Sequence, residues 1–137
     1  MSGVSGRLRR RVIHRANGRC EYCGLAQVGQ EATFHIDHVV PRDAGGTTTL
    51  GNLALACVSC SLRKGARQSA VDPETGQTAL LYNPRRQVWD EHFCWEGVRL
   101  IGLTSTGRAT VELLQLNRLR LLRIRRVEKA LGRHTSK

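Results

Sequence analysis

The chain has 137 residues, enough for one compact domain with a modest core and too few to suggest two. Lys and Arg number 22 against 11 Asp and Glu, and the formal net charge of +11 sets up a field that attracts polyanions, so nucleic acid is the leading partner class. There is no run of about 18 apolar residues to span a bilayer, and residues 1 to 11 lack the apolar core of a secretory signal, so a cytoplasmic protein with no membrane partner is expected. Charge alone does not separate an enzyme acting on nucleic acid from a merely basic soluble protein or a ribosome-like binder.

In chain order, residues 7 to 17 place Leu8, Val12, Ile13 and Ala16 about a turn apart among arginines, predicting a short basic helix ended by Asn17-Gly18. Cys20 and Cys23 follow in a tight turn that Gly24 makes possible. Residues 33 to 40 are rich in β-branched and aromatic side chains and are closed by Pro41, which predicts a strand carrying His35, Asp37 and His38. A polar loop with Gly45-Gly46 and Thr47-Thr48-Thr49 turns the chain back. From Asn52 the sequence climbs through Leu53 to Ala56 into Cys57-x-x-Cys60, and residues 61 to 68 read as a basic helix weakened at Gly65. Residues 70 to 77 read as a turn-rich connection.

Asn83-Pro84 starts a short helix with Trp89 and Phe93 facing inward, residues 98 to 103 form a strand, and Thr104 to Thr106 cap a final helix over about 108 to 131. On that helix Leu113, Leu116, Ile124, Val127 and Leu131 share one face, with Arg118, Arg125 and Lys129 roughly opposite. It is either packed on the body with a solvated basic edge or used for DNA backbone contact or self-association. The expected organisation is one domain over 1–137, with a core at about 7–70 and an extension at about 78–131.

Of the five cysteines, Cys20, Cys23, Cys57 and Cys60 supply four thiolates in two knuckles, the donor set of a closed tetrahedral zinc site. A rubredoxin-like iron site uses similar knuckles, but nothing else in the chain suggests electron transfer. Four thiolates leave no open position, so this metal staples the fold. Cys94 stands apart as an ordinary semi-buried thiol.

Catalysis must come from between the knuckles, where Phe34-His35-Ile36-Asp37-His38 sets two imidazoles about one carboxylate. Phosphodiester hydrolysis needs a base for water and a cation for the charge on phosphate and leaving oxygen, and a neighbouring carboxylate and histidine can divide those tasks. His35 and Asp37, two apart on a strand, point to the same side. Arg63, Lys64 and Arg67 follow the second knuckle, either neutralising phosphates or forming a solvated face. Arg7, Arg9, Arg10 and Arg11 offer further phosphate contacts that carry no sequence code.

The run Cys-x-x-Cys, Asp-His-x-x-Pro, Gly-Gly, Asn-Leu and Cys-x-x-Cys followed by Lys, over residues 19 to 65, resembles the HNH endonucleases. Asn-Pro-Arg-Arg at 83–86 and Gly-Arg-Ala-Thr at 107–110 look like short bacterial HNH proteins and lengthen the resemblance to nearly the whole chain. It implies a ββα-metal core, which together with the four-cysteine zinc site and the short helix, strand and C-terminal basic helix read above makes the expected fold α+β. It also implies a DNA-cutting hydrolase, with His38 as general base, Asp37 on a divalent cation (Mg²⁺, Mn²⁺ or Ni²⁺) and Asn52 orienting the base by bridging the loop. Without the family, Asn52 is simply a cap on the turn into Leu53.

The motif's last position, His or Asn in the family, is Ser61 here, a weak ligand for a hard cation. His35, or more distantly His92, is the candidate to complete the site. Double-stranded DNA is the expected substrate, RNA a less favoured one, and a monomer nicks unless a homodimer forms. The alternative is a non-catalytic zinc-containing DNA-binding module whose cation site is lost.

Overall fold

The computed structural model describes residues 3–134, which form a mixed α+β structure of five helices and three two-stranded sheets. The chain divides into two compact units, Met1–Gln68 with Asn83–Arg86, and Ser69–Tyr82 with Gln87–Lys137. No described helix is long and apolar enough to cross a membrane.

The first unit opens with α1 (Gly6–Arg15), capped by the Ser5 hydroxyl, which accepts the Leu8 N–H at 3.1 Å. It ends as Asn17 and Gly18 take positive φ, 54° and 67°, the left-handed geometry that small residues tolerate. Its Val12 is fully buried. Strands β1 (His35–His38) and β2 (Leu53–Ala56) pair antiparallel with Asp37 opposite Ala54 and His38 opposite Leu53. All four residues of β2 are buried, and sealing its two leucines from water is worth roughly 2 kcal/mol each.

Helix α2 (Val58–Lys64) begins inside the second knuckle, with the Cys57 sulfur accepting the Cys60 N–H, and stops where Gly65 takes φ 51°. It therefore starts earlier and ends sooner than the expected 61–68 helix. The thiolate acting as cap turns the knuckle itself into the helix start, and Gly65 ends the helix outright.

In the second unit the stretch expected to be a turn-rich connection is a hairpin of β3 (Ser69–Val71) and β4 (Thr78–Leu80). Its turn is built on Asp72, which accepts the Glu74 N–H at 3.0 Å and the Thr75 hydroxyl at 3.1 Å, and which binds the Arg108 guanidinium at 2.8 and 3.0 Å. The helix expected from Asn83-Pro84 is only α3 (Trp89–His92). Asn83 instead accepts the Arg85 N–H in a turn, and Phe93 belongs to a strand. That strand, β5 (Phe93–Glu96), pairs with β6 (Arg99–Gly102).

The long final helix is two helices, α4 (Ser105–Leu114) and α5 (Leu119–Ala130), broken at Gln115 with φ 50°. The break frees Asn117 to clamp the Leu100 backbone, accepting its N–H and donating to its carbonyl, both at 2.8 Å. The break also rotates the buried face. Leu116 of the expected stripe is buried, but Leu121, Leu122 and Arg125 are inside as well and Val127 and Leu131 are exposed, so the stripe does not hold along α5. Arg125 donates to the Val98 carbonyl at 3.0 Å and lies 4.9 Å from the Trp95 ring centroid, so it is a packing residue of this unit and not part of a basic edge.

Candidate metal and nuclease site

The sulfurs of Cys20, Cys23, Cys57 and Cys60 lie within 4.8 Å of one another, all four residues buried. The Cys23 and Cys57 sulfurs are 3.8 Å apart. Zinc–sulfur bonds of about 2.3 Å at tetrahedral angles require sulfurs about 3.8 Å apart, whereas a disulfide would draw them to about 2.0 Å. Backbone N–H groups of Cys23 and Cys60 point back at the Cys20 and Cys57 sulfurs at 3.5 and 3.4 Å, as thiolate knuckles demand. Burial pushes the Cys20 thiol well above its ordinary value, a cost that a divalent cation removes. The donor set fits zinc.

The first knuckle is laced to β2. Glu21 donates its N–H to the Leu55 carbonyl and accepts the Leu55 N–H on its carboxylate, both at 2.8 Å, and pairs with Arg85, which also donates to the Leu53 carbonyl. Asn83–Arg86 is thus the strap that belongs to this unit, and no local pattern in the chain signals the Glu21–Arg85 pair.

Beside the cage, Asp37, His38, Arg42, Asp43, Ser61 and Gly65 line an open cleft of about 280 Å³. The loop from β1 to β2 is held by Asn52, whose side chain accepts the Val40 N–H at 2.9 Å and donates to the carbonyls of Val40 at 3.0 Å and Thr47 at 2.9 Å. Only glycine fits at position 46, where a Cβ would sit 1.7 Å from the Val40 oxygen. The same loop delivers Thr48, whose hydroxyl is 2.9 Å from His38 Nε2. With the Nε2 proton donated to that hydroxyl, the lone pair is on Nδ1. Burial pushes His38 below its ordinary 6.5, aided by Arg42 and opposed by Asp37, so the neutral form dominates at neutral pH.

Asp37 is 8% exposed. Its Oδ2 accepts the Tyr22 hydroxyl at 2.8 Å and lies 3.2 Å from Lys64 Nζ, which also donates to the carbonyls of His38 at 3.2 Å and Val39 at 3.1 Å. Burial pushes the Asp37 carboxyl above its ordinary 3.8 against the pull of Lys64 and Tyr22. Burial together with the Asp37 charge holds Tyr22 protonated. Lys64, expected either to meet phosphate or to lie on a solvated face, is 1% exposed and spends its donors on Asp37 and the His38 and Val39 carbonyls.

His35 is not among the residues lining the cleft. Its Nδ1 lies 2.9 Å from the Ser61 hydroxyl, which does line it, so His35 reaches the cleft through Ser61. His92 lies in the second unit, with Nδ1 2.7 Å from the Thr104 hydroxyl that caps α4. Arg63 and Arg67 are exposed, Arg63 reaching the Ser59 hydroxyl at 3.2 Å. Arg10 is exposed, while Arg9 donates to the Phe34 carbonyl at 2.7 Å and is committed to the fold.

A hairpin and a short helix bounding one polar cleft, tied together by a four-sulfur cage, define a zinc-stapled ββα module. Residues 20–67 match the model of the HNH endonuclease family, and this segment is an HNH domain. No curated protein matches the chain.

Proposed function

We propose that the chain is a metal-dependent endonuclease that hydrolyses DNA phosphodiester bonds, with its chemistry in the cleft of the first unit. The observation that carries the reading is that His38 and Asp37 line one open cleft and His38 Nε2 lies 2.9 Å from the Thr48 hydroxyl; the tautomer that donates Nε2–H to that hydroxyl keeps Nδ1 basic for water. His38 takes the proton from water through Nδ1, the oxygen attacks phosphorus, and the bond to the 3′ oxygen breaks to leave a 5′ phosphate. Asn52 keeps the Thr48 loop against β1 and so fixes the imidazole.

The Asp37 carboxylate, with Ser61 as a weak second ligand, would hold a divalent cation such as Mg²⁺, Mn²⁺ or Ni²⁺, whose shell is completed by water and substrate phosphate. When bound, it would stabilise charge on the phosphate and the departing oxygen. One such centre per chain nicks, and breaking both strands needs a homodimer or two events. Arg63 and Arg67, exposed after the cage, would take phosphates near the scissile bond.

One observation favours a second reading, a zinc-stapled DNA-binding module without catalysis: the Lys64 ammonium already balances Asp37 at 3.2 Å. Supercoiled plasmid incubated with purified protein decides between them. The nuclease relaxes it when Mg²⁺, Mn²⁺ or Ni²⁺ is added, and Asp37→Ala does not. Plasmid shifted in a gel but uncut with every cation would leave only the binder, and a preference for structured RNA would point to an RNA-binding role.

A further inference from the structure

We infer that the outward face of α1 is a seat for the phosphate backbone of duplex DNA, formed by Arg7, Arg10, Arg11 and His14. This deepens the nuclease reading, on which it rests for the kind of nucleic acid, by naming where the duplex is held outside the residues that line the cleft.

These residues stand at i, i+3, i+4 and i+7, one face of a helix, and Arg7, Arg10, Arg11 and His14 are all exposed. The structure sorts the helix's other arginines away from them. Arg9 donates to the Phe34 carbonyl, and Arg15 donates to the carbonyls of Leu50 and Leu53. Together with Arg15 and Leu50, the four outward residues wall a recess of about 400 Å³.

No Asp or Glu occurs between Ser5 and Arg19, and among the described residues no ion pair involves an arginine of α1. Like charges three and four residues apart repel, and a polyanion laid along the face removes that repulsion. Arg7 to His14 spans about 10 Å at 1.5 Å per residue, and one strand of a duplex offers a phosphate about every 3.4 Å along its axis, so about three phosphates match the face. Binding single strands relies on aromatic side chains for stacking bases, and α1 has no Phe, Tyr or Trp, so the duplex backbone is the better fit. The Leu50 wall stands two residues before Asn52, so the connection that carries the proposed base's support also borders the seat.

The test uses the full chain carrying His38→Ala, so that DNA is bound and not consumed, with a fluorescent 20-base-pair DNA duplex titrated from 50 to 200 mM KCl. Adding Arg7→Ala, Arg10→Ala and Arg11→Ala together should flatten the slope of log affinity against log salt by about 2 to 3, since each phosphate contact contributes about 0.9. Zinc content and circular dichroism should stay unchanged, and Arg9→Ala should leave the slope as it was.

An unaltered slope in the triple variant overturns the seat. So does a loss with Arg9→Ala as large as with any one of the three, which would mean that net charge and not this face matters. Single-stranded DNA bound as tightly as duplex overturns the duplex assignment. Plasmid cutting by the unsubstituted protein is read separately: cutting with an unaltered slope sinks the seat alone, and a flattened slope without cutting sinks the nuclease reading alone.

Discussion

Replacing Lys64 with Met keeps the apolar stem and removes only the ammonium, leaving the Asp37 carboxylate at 8% exposure with Tyr22 as its remaining donor. The Val39 and His38 carbonyls lose a donor in the same step. Breaking a buried ion pair from one side costs about 3–5 kcal/mol. Because Asp37 keeps a neutral hydrogen bond and some access to the cleft, the lower end, about 3 kcal/mol, is expected. Against a total stability of about 5–15 kcal/mol for a domain, that is a large fraction.

Both tryptophans, Trp89 and Trp95, belong to the second unit, so the readout is taken from the first. Zinc released to a chromophoric chelator during urea unfolding does report on it, since the cage is in the first unit. Lys64→Met with Asp37→Asn should recover more than half of the loss, because no unpaired charge is then buried. A single variant within about 1 kcal/mol of the parent, or a double variant no more stable than Lys64→Met, would refute the view that this pair is a structural necessity of the cleft.

Removing zinc with a strong chelator should unfold the first unit and abolish its far-UV helical signal, whereas Asp37→Ala should leave about one zinc per chain by atomic emission, since a structural zinc site binds through its thiolates alone. Asn52→Ala deletes three hydrogen bonds that close the loop over β1 and should lower stability by about 2–3 kcal/mol in the same zinc-release assay, at about 1 kcal/mol each. The Arg108 guanidinium beside Asp72 holds its carboxyl well below the ordinary 3.8. A depressed folded value stabilises above the unfolded one, so this contribution is complete above pH 3.8 and is lost as pH falls from there. Tryptophan-monitored urea unfolding should show that acid loss in the parent and a flatter profile in Asp72→Asn.

The parts of the site legible in the sequence were those whose chemistry is fixed by spacing along the chain: the two cysteine knuckles, the Asp37-His38 pair on a strand ended by Pro41, and Asn52 after a glycine loop. What escaped was decided by distant partners. Nothing local says that Lys64, in a run with Arg63 and Arg67, turns inward to Asp37, or that Tyr22 between the first two cysteines donates to the same carboxylate. Thr48 is one of three consecutive threonines, and only the loop's closure chooses it for His38.

The same holds for the fold. The break after α4 occurs at Gln115 without a Gly or Pro to announce it, because the clamp of Asn117 on Leu100 settles it. The three-residue strands β3 and β4 are too short to show alternation, although Asp72-Pro73 and Thr75-Gly76 marked their turn.

The central claim is that an imidazole held by Thr48 takes the proton from the attacking water. Initial rates of plasmid nicking by the parent and by His38→Ala, matched for zinc content and assayed with Mn²⁺, test it most directly, with the product ends typed by ligation. The account predicts 5′-phosphate ends and a rate lower by about 10²–10⁴ in the variant; nicking by His38→Ala within tenfold of the parent would contradict it.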